Sequence, residues 1–151
     1  MILRGVLPVL ETLASVLLVG LVAVTAIDVV GRYFLNAPLS GAFEMTELTL
    51  GALVFAALPL VSRSGSHVEV DLFVSALPAR ATRALALLAA AISALVLVYF
   101  AWRLAVLGLQ QWQEGSRSVS LGVPLWPFAA LGVAGCTMAA VFGVLRAVER
   151  P

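Results

Sequence analysis

Four apolar stretches, each long enough to cross a lipid bilayer, constrain this chain more than any motif in it; they cover about 6–30, 43–61, 84–107 and 125–145. A helix rises about 1.5 Å per residue, so about 20 residues span a hydrocarbon layer roughly 30 Å thick. Inside that layer only helices and closed barrels satisfy their own backbone hydrogen bonds. The pattern therefore predicts an all-α integral membrane protein with four transmembrane helices in one transmembrane domain over residues 1–151. The composition agrees: 62% of residues are hydrophobic, 11% are charged and the mean hydropathy is +1.10. A soluble domain, by contrast, is about half apolar and about a quarter charged. Folded in water, this chain would leave large apolar patches uncovered.

Turn-forming residues fall between the stretches. Asn36, Pro38, Ser40 and Gly41 follow the first, and Arg63, Ser64, Gly65 and Ser66 close the second. Pro78, Pro124 and Pro127 suit the first turns of the third and fourth helices, where a missing amide proton is harmless. Pro59, inside the second stretch, is expected to kink or loosen its last turn. Arg4 and the Val24-Thr25-Ala26 segment give the first stretch some likeness to a cleaved signal, but it is longer than a signal core and contains Glu11, so an uncleaved span is expected. If the N-terminus is inside, Arg4, Arg63, Arg80, Arg83, Arg146 and Arg150 lie inside and Arg32, Arg103 and Arg117 outside, which predicts that both termini are cytoplasmic. The connection over about 67–77 is too apolar for a free loop and reads as an interfacial segment with Glu69 and Asp71 turned to water.

Charged groups within or beside spans point first to function or to a partner. Glu11 lies in the first span, Asp28 and Arg32 close its outer end, and Glu44 and Glu47 open the second span on the same side. Asp28 and Arg32 are one helical turn apart, so Arg32 is within reach of Asp28 or Glu47, and the pairing expected is with a carboxylate of the second helix. A proton path is one reading. An ion pair that fixes helix or subunit docking is the preferred one, because a carboxylate held by an arginine is a poor proton shuttle near neutral pH. Trp102, Trp112, Trp126, Tyr33 and Tyr99 read as interfacial anchors. The small residues Gly51, Ala52, Ala56 and Ala57 permit close helix packing.

Other chemistry finds little support. The arginines are scattered singly, so no nucleic-acid surface is expected. One cysteine, Cys136, builds neither a disulfide nor a cysteine metal site within the chain. His67 with Glu69 and Asp71 is a weak metal set, and a lone histidine excludes bis-histidine haem; no metal and no cofactor are expected. No nucleophile-base pair or phosphate loop is present, so the chain is not expected to be an enzyme.

Three motifs, in order, resemble the small membrane subunit (DctQ-like) of the tripartite ATP-independent periplasmic (TRAP) transporters. The first is Gly31-Arg32-Tyr33-Phe34-Leu35-Asn36-Ala37-Pro38 with Glu47-Leu48 heading the next helix. The second is the family-like loop Gly65-Ser66-His67-Val68-Glu69-Val70-Asp71. The third runs from Gly115-Ser116 through Ser120-Leu121-Gly122-Val123-Pro124-Leu125-Trp126. Phe43 stands where many members carry tryptophan, and Glu44 precedes Glu47 by three where many have adjacent carboxylates. The resemblance implies a bacterial inner-membrane subunit that partners a large multi-helix membrane subunit holding the sodium and substrate sites. It also implies a periplasmic binding protein that delivers an organic acid, often a carboxylate. The small subunit would widen the fixed scaffold, and its outer loop, with Gly115, Ser120, Pro124 and Trp126, would face the binding protein. The competing readings are an autonomous proton-coupled multidrug exporter acting as a dimer through Glu11, and a membrane anchor of another complex.

Overall fold

The computed structural model describes residues 2–64 and 79–149. They form four helices: α1 (Ile2–Phe34), α2 (Ala42–Ser64), α3 (Ala79–Glu114) and α4 (Trp126–Glu149). All four are long and apolar enough to cross a membrane, as the sequence predicts. The interfacial segment expected over 67–77, and Gly65, His67 and Asp71 with it, lie outside the described residues.

The helices pack as a row and do not close into a bundle. α1 packs on α2, α2 on α4, and α4 on α3, giving the order α1–α2–α4–α3. The two central helices run the same way along one another. Small residues at their seam let the backbones approach: Ala52, Ala56 and Pro59 of α2 are buried, as are Cys136, Ala139 and Phe142 of α4. Gly132, Gly135, Ala139 and Phe142 repeat every three or four residues and so share one face of α4. At Gly135 the approach is closest, because a Cβ there would fall on the Phe55 carbonyl oxygen. Towards α3, a Cβ on Gly108 would lie 3.2 Å from that of Ala129, and Gly132 sits where both neighbours approach, since a Cβ there would lie 2.8 Å from Leu104 Cδ1 and 3.2 Å from the Phe55 ring.

Exposure follows from the row. None of the apolar window of the first span is buried and only 6% of that of the third, against 22% for the second and 39% for the fourth. The two outer helices thus each pack on one side only and leave most of their surface to lipid or to another protein.

α2 continues through the buried Pro59 as far as Ser64. Two sequence expectations change. α1 and α3 run past the apolar stretches that marked them, and the 36 residues of α3 reach about 54 Å, well beyond a bilayer core. Its polar end, Gln110 to Glu114, stays helical until Gly115, because a stop signal and not loss of hydropathy ends a helix. The level of Tyr99 and Trp102 is the second. With Gly108 beside Ala129 and Leu104 beside Gly132, Trp102 stands level with the middle of α4, well below the span end where an interfacial anchor would sit.

Candidate functional site

The connections α1–α2 and α3–α4 lie at one end of the row and are locked by groups that the sequence places far apart. α1 ends in a local lock. Arg32 Nη2 donates to Asp28 Oδ2 at 2.7 Å, and the other oxygen, Oδ1, accepts the Leu39 amide at 3.1 Å. The Gly31 carbonyl accepts the amides of Leu35 (3.3 Å) and Ala37 (2.9 Å). Any Cβ on Gly31 would lie 2.7 Å from the Ala37 carbonyl oxygen, so the tight return of the chain requires glycine here. Asp28 thus ties its own helix end to the far part of the connection, three residues before α2 begins.

α3 ends in a Schellman motif. Gly115, at φ 63°, donates to the Trp112 carbonyl at 3.3 Å, and Ser116 donates to that of Gln111 at 3.0 Å. The chain from Ser116 to Leu125 then folds back on itself. Ser118 donates its amide to Val123 (2.9 Å), Gly122 to Ser118 (3.1 Å) and Leu125 to Ser116 (3.3 Å), while an isolated bridge joins Arg117 to Pro124. Two side chains brace it: Arg117 Nη1 donates to the Gly122 carbonyl at 2.9 Å, and Ser118 Oγ accepts the Val123 amide at 3.1 Å. Trp112 and Trp126 stack edge to face across its base, with centroids 4.7 Å apart.

Glu44 joins the two connections. It lies in the first turn of α2, where the positive end of the helix dipole favours an anion. Its carboxylate accepts three successive backbone amides of the α3–α4 loop: Val119 at 2.7 Å, and Ser120 and Leu121 each at 2.9 Å. Consecutive amides curled around one anion form a nest, a strong way to hold a loop to a charge. Neighbouring Gly41, at φ 80°, leaves room for Leu121, whose Cδ2 would lie 2.8 Å from a Cβ there. With its amide turned down onto Glu44, Val119 presents a side chain that is 99% exposed at the loop apex.

The expected pairing of Arg32 with a carboxylate of the second helix is corrected. Arg32 pairs with Asp28, the nearer carboxylate one turn back, and Glu44 is occupied by the loop amides. Glu47 is exposed one turn further along α2. Of the loop residues named from the sequence, Gly115 caps α3, Ser120 donates to Glu44, Pro124 bridges Arg117, and Trp126 packs on Trp112. Sequence reasoning missed Arg117 and Ser118; short polar residues flanking a Gly-Val-Pro turn are the signal that would have pointed to them. Among the described residues no set of three His, Cys, Asp or Glu is placed to hold a metal.

Comparison with known proteins bears on what this architecture is for. Residues 21–150 match the family described as tripartite ATP-independent periplasmic transporters, DctQ component. A protein from Halomonas elongata, the ectoine TRAP transporter small permease protein TeaB, is 25% identical over 132 residues, covering 82% of this chain and 68% of that protein. DctQ proteins are transporter components and not an enzyme family. The matched span takes in every connection described above, the second half of α1 and the whole of α2, α3 and α4, and the chain belongs to the DctQ family as a multi-pass inner-membrane small permease subunit of a TRAP transporter.

Proposed function

We propose that this chain is the fixed scaffold partner of a large, sodium-coupled membrane subunit, in a complex that takes up an organic acid delivered by a periplasmic binding protein. The observation that carries this reading is the open row of helices. A transporter needs a site shielded between elements, usually near the midplane and framed by broken helices. Four unbroken helices in a single layer enclose no such space, and both faces await another surface. Such a layer suits a wall that braces a moving domain, and no catalysis falls to it.

Both termini are then cytoplasmic, and the end locked by Asp28, Arg32 and Glu44 faces the periplasm. There the braced 116–125 loop offers the binding protein a preformed surface, and ordering a loop in advance saves that loss of freedom on docking. Glu47, exposed beside it, is free to meet a partner subunit. The exporter and redox-anchor alternatives lose ground to membership of a transporter-component family.

The test is isolation and reconstitution. A tag on this chain should bring down the large subunit from membranes that express both. Liposomes holding the large subunit alone, supplied with loaded binding protein and a sodium gradient, should take up far less substrate than liposomes holding both chains. Equal uptake without this chain would overturn the proposal.

A further inference from the structure

The face of α3 turned away from the rest of the row carries a line of polar groups that runs from the level of the α4 head, at Gln110 and Glu114, down to membrane depth at Arg103 and Tyr99. Tyr99, Arg103, Gln110 and Glu114 are spaced four, seven and four residues apart, which at about 100° per residue places all four within one narrow stripe. All are exposed, and they lie on a different side of α3 from Leu104 and Gly108, which pack on α4. Arg103 is the telling member. Since Gly108 lies beside Ala129 and the two helices run antiparallel, Arg103 stands level with Ala134. That is eight residues, or about 12 Å, below Trp126 at the head of α4. Helical side chains lean towards the N-terminus, which for α3 is away from the Trp126 end. The guanidinium therefore starts deep and is directed deeper, against the rise a snorkelling arginine needs to reach that interface. Among the described residues it has no ion-pair partner.

A guanidinium at this depth, facing outward from its own chain, calls for an acidic partner. We infer that the Tyr99–Arg103–Gln110 stripe is the surface on which the large membrane subunit docks, through a transmembrane helix that places an aspartate or glutamate carboxylate opposite Arg103. The inference rests on the scaffold reading and extends it by naming the surface and the chemistry of its partner. The arginine supplies a planar fork for a carboxylate, the Tyr99 hydroxyl and the Gln110 amide add hydrogen bonds along the same line, and α3 is an end helix of the row with this side open. Interhelical hydrogen bonds of this kind, and not apolar contact, distinguish a protein neighbour from lipid.

Photocrosslinking in the intact complex tests it. A photoreactive phenylalanine analogue is placed singly at Tyr99 and at Gln110, which leaves Arg103 in place, and at Val22 on the opposite end helix as a control. Adducts with the large subunit are expected from Tyr99 and Gln110 and should exceed those from Val22 several-fold. Arg103→Gln should lower recovery of the large subunit by about ten-fold or more in stringent detergent, while Arg103→Lys retains part of it. Helicity by circular dichroism separates lost docking from misfolding. Adducts with lipid only, or with a second copy of this chain, would overturn the inference. Were the large subunit recovered with the wild-type chain but never crosslinked through this stripe, the docking surface would be wrong and the scaffold reading would stand; no recovery at all would remove both.

Discussion

Replacing Gly135 with alanine should bring a closer clash than the same change at any other described glycine. A Cβ there would overlap the Phe55 carbonyl oxygen and come within 3.0 Å of the carbonyl carbon and 3.3 Å of Phe55 Cα. All three atoms belong to the backbone of α2, so no side chain can turn aside. To recover ordinary contact the two central helices must part by about 1 Å, and the dispersion contacts along the seam weaken together. Overpacking of this kind costs about 1–3 kcal/mol, offset by up to ~1 kcal/mol from alanine's better helix propensity. The neighbouring glycines give a graded control. At Gly132 the clash is with the far ends of Leu104 and Phe55, at 2.8 and 3.2 Å, and these can shift. At Gly143 nothing lies within 4 Å. The expected order of stability is Gly143→Ala at or above wild type, Gly132→Ala slightly below, and Gly135→Ala clearly lowest. Unfolding by SDS in mixed micelles, followed by far-ultraviolet circular dichroism, reads the midpoints. If Gly135→Ala unfolds at the same SDS fraction as Gly143→Ala, the close α2–α4 seam is not what holds the row together.

Further outcomes follow from the locked end and the buried seam. Glu44→Ala should speed hydrogen exchange at the Val119, Ser120 and Leu121 amides by about an order of magnitude while leaving helical amides unchanged, since only the loop loses its acceptors. Unchanged exchange would show that the loop holds itself. Asp28→Ala, which removes the acceptor, should expose the Leu39 amide to exchange, whereas Arg32→Gln should spare it and shift stability by no more than about 1 kcal/mol, because the arginine side chain is 58% exposed. Cys136, only 2% exposed, should resist maleimide in mild detergent and react fully in SDS. Rapid labelling of the native protein would contradict the buried position of α4.

What the sequence made legible was whatever depends on neighbours along the chain. Hydropathy found the four helices because lipid imposes a length. The i, i+4 spacing of Asp28 and Arg32 put that pair within reach, although the pairing expected was with the second helix, and Gly115, which stops α3, lies eight residues beyond the end of the apolar stretch that marks it. The small residues of α2 indicated a close seam, and Ala52 and Ala56 are indeed buried in it. The role of Glu44 was hidden, since its partners lie more than seventy residues away and are backbone amides, which carry no residue signature. Hydropathy was also silent on which helix neighbours which, because lipid-facing and protein-facing apolar surfaces read alike. For the same reason Arg103 was placed near a span end: the outer limit of an apolar stretch marks where polar residues begin, not where the bilayer stops. Only the register set by Gly108 and Gly132 against α4 reveals its depth.

The central physical claim is that the four helices form an open layer which needs a second protein to complete it. Distance measurement by double electron–electron resonance tests this directly, with spin labels at Val22 of α1 and Val98 of α3, both exposed, in a Cys136→Ala background. With α2 and α4 standing between them at about 8–10 Å per packed pair, the end helices should lie more than about 20 Å apart, axis to axis. A separation near 10 Å would mean that α1 and α3 touch, that the chain closes on itself as a bundle, and that it has no need of a partner to cover its faces.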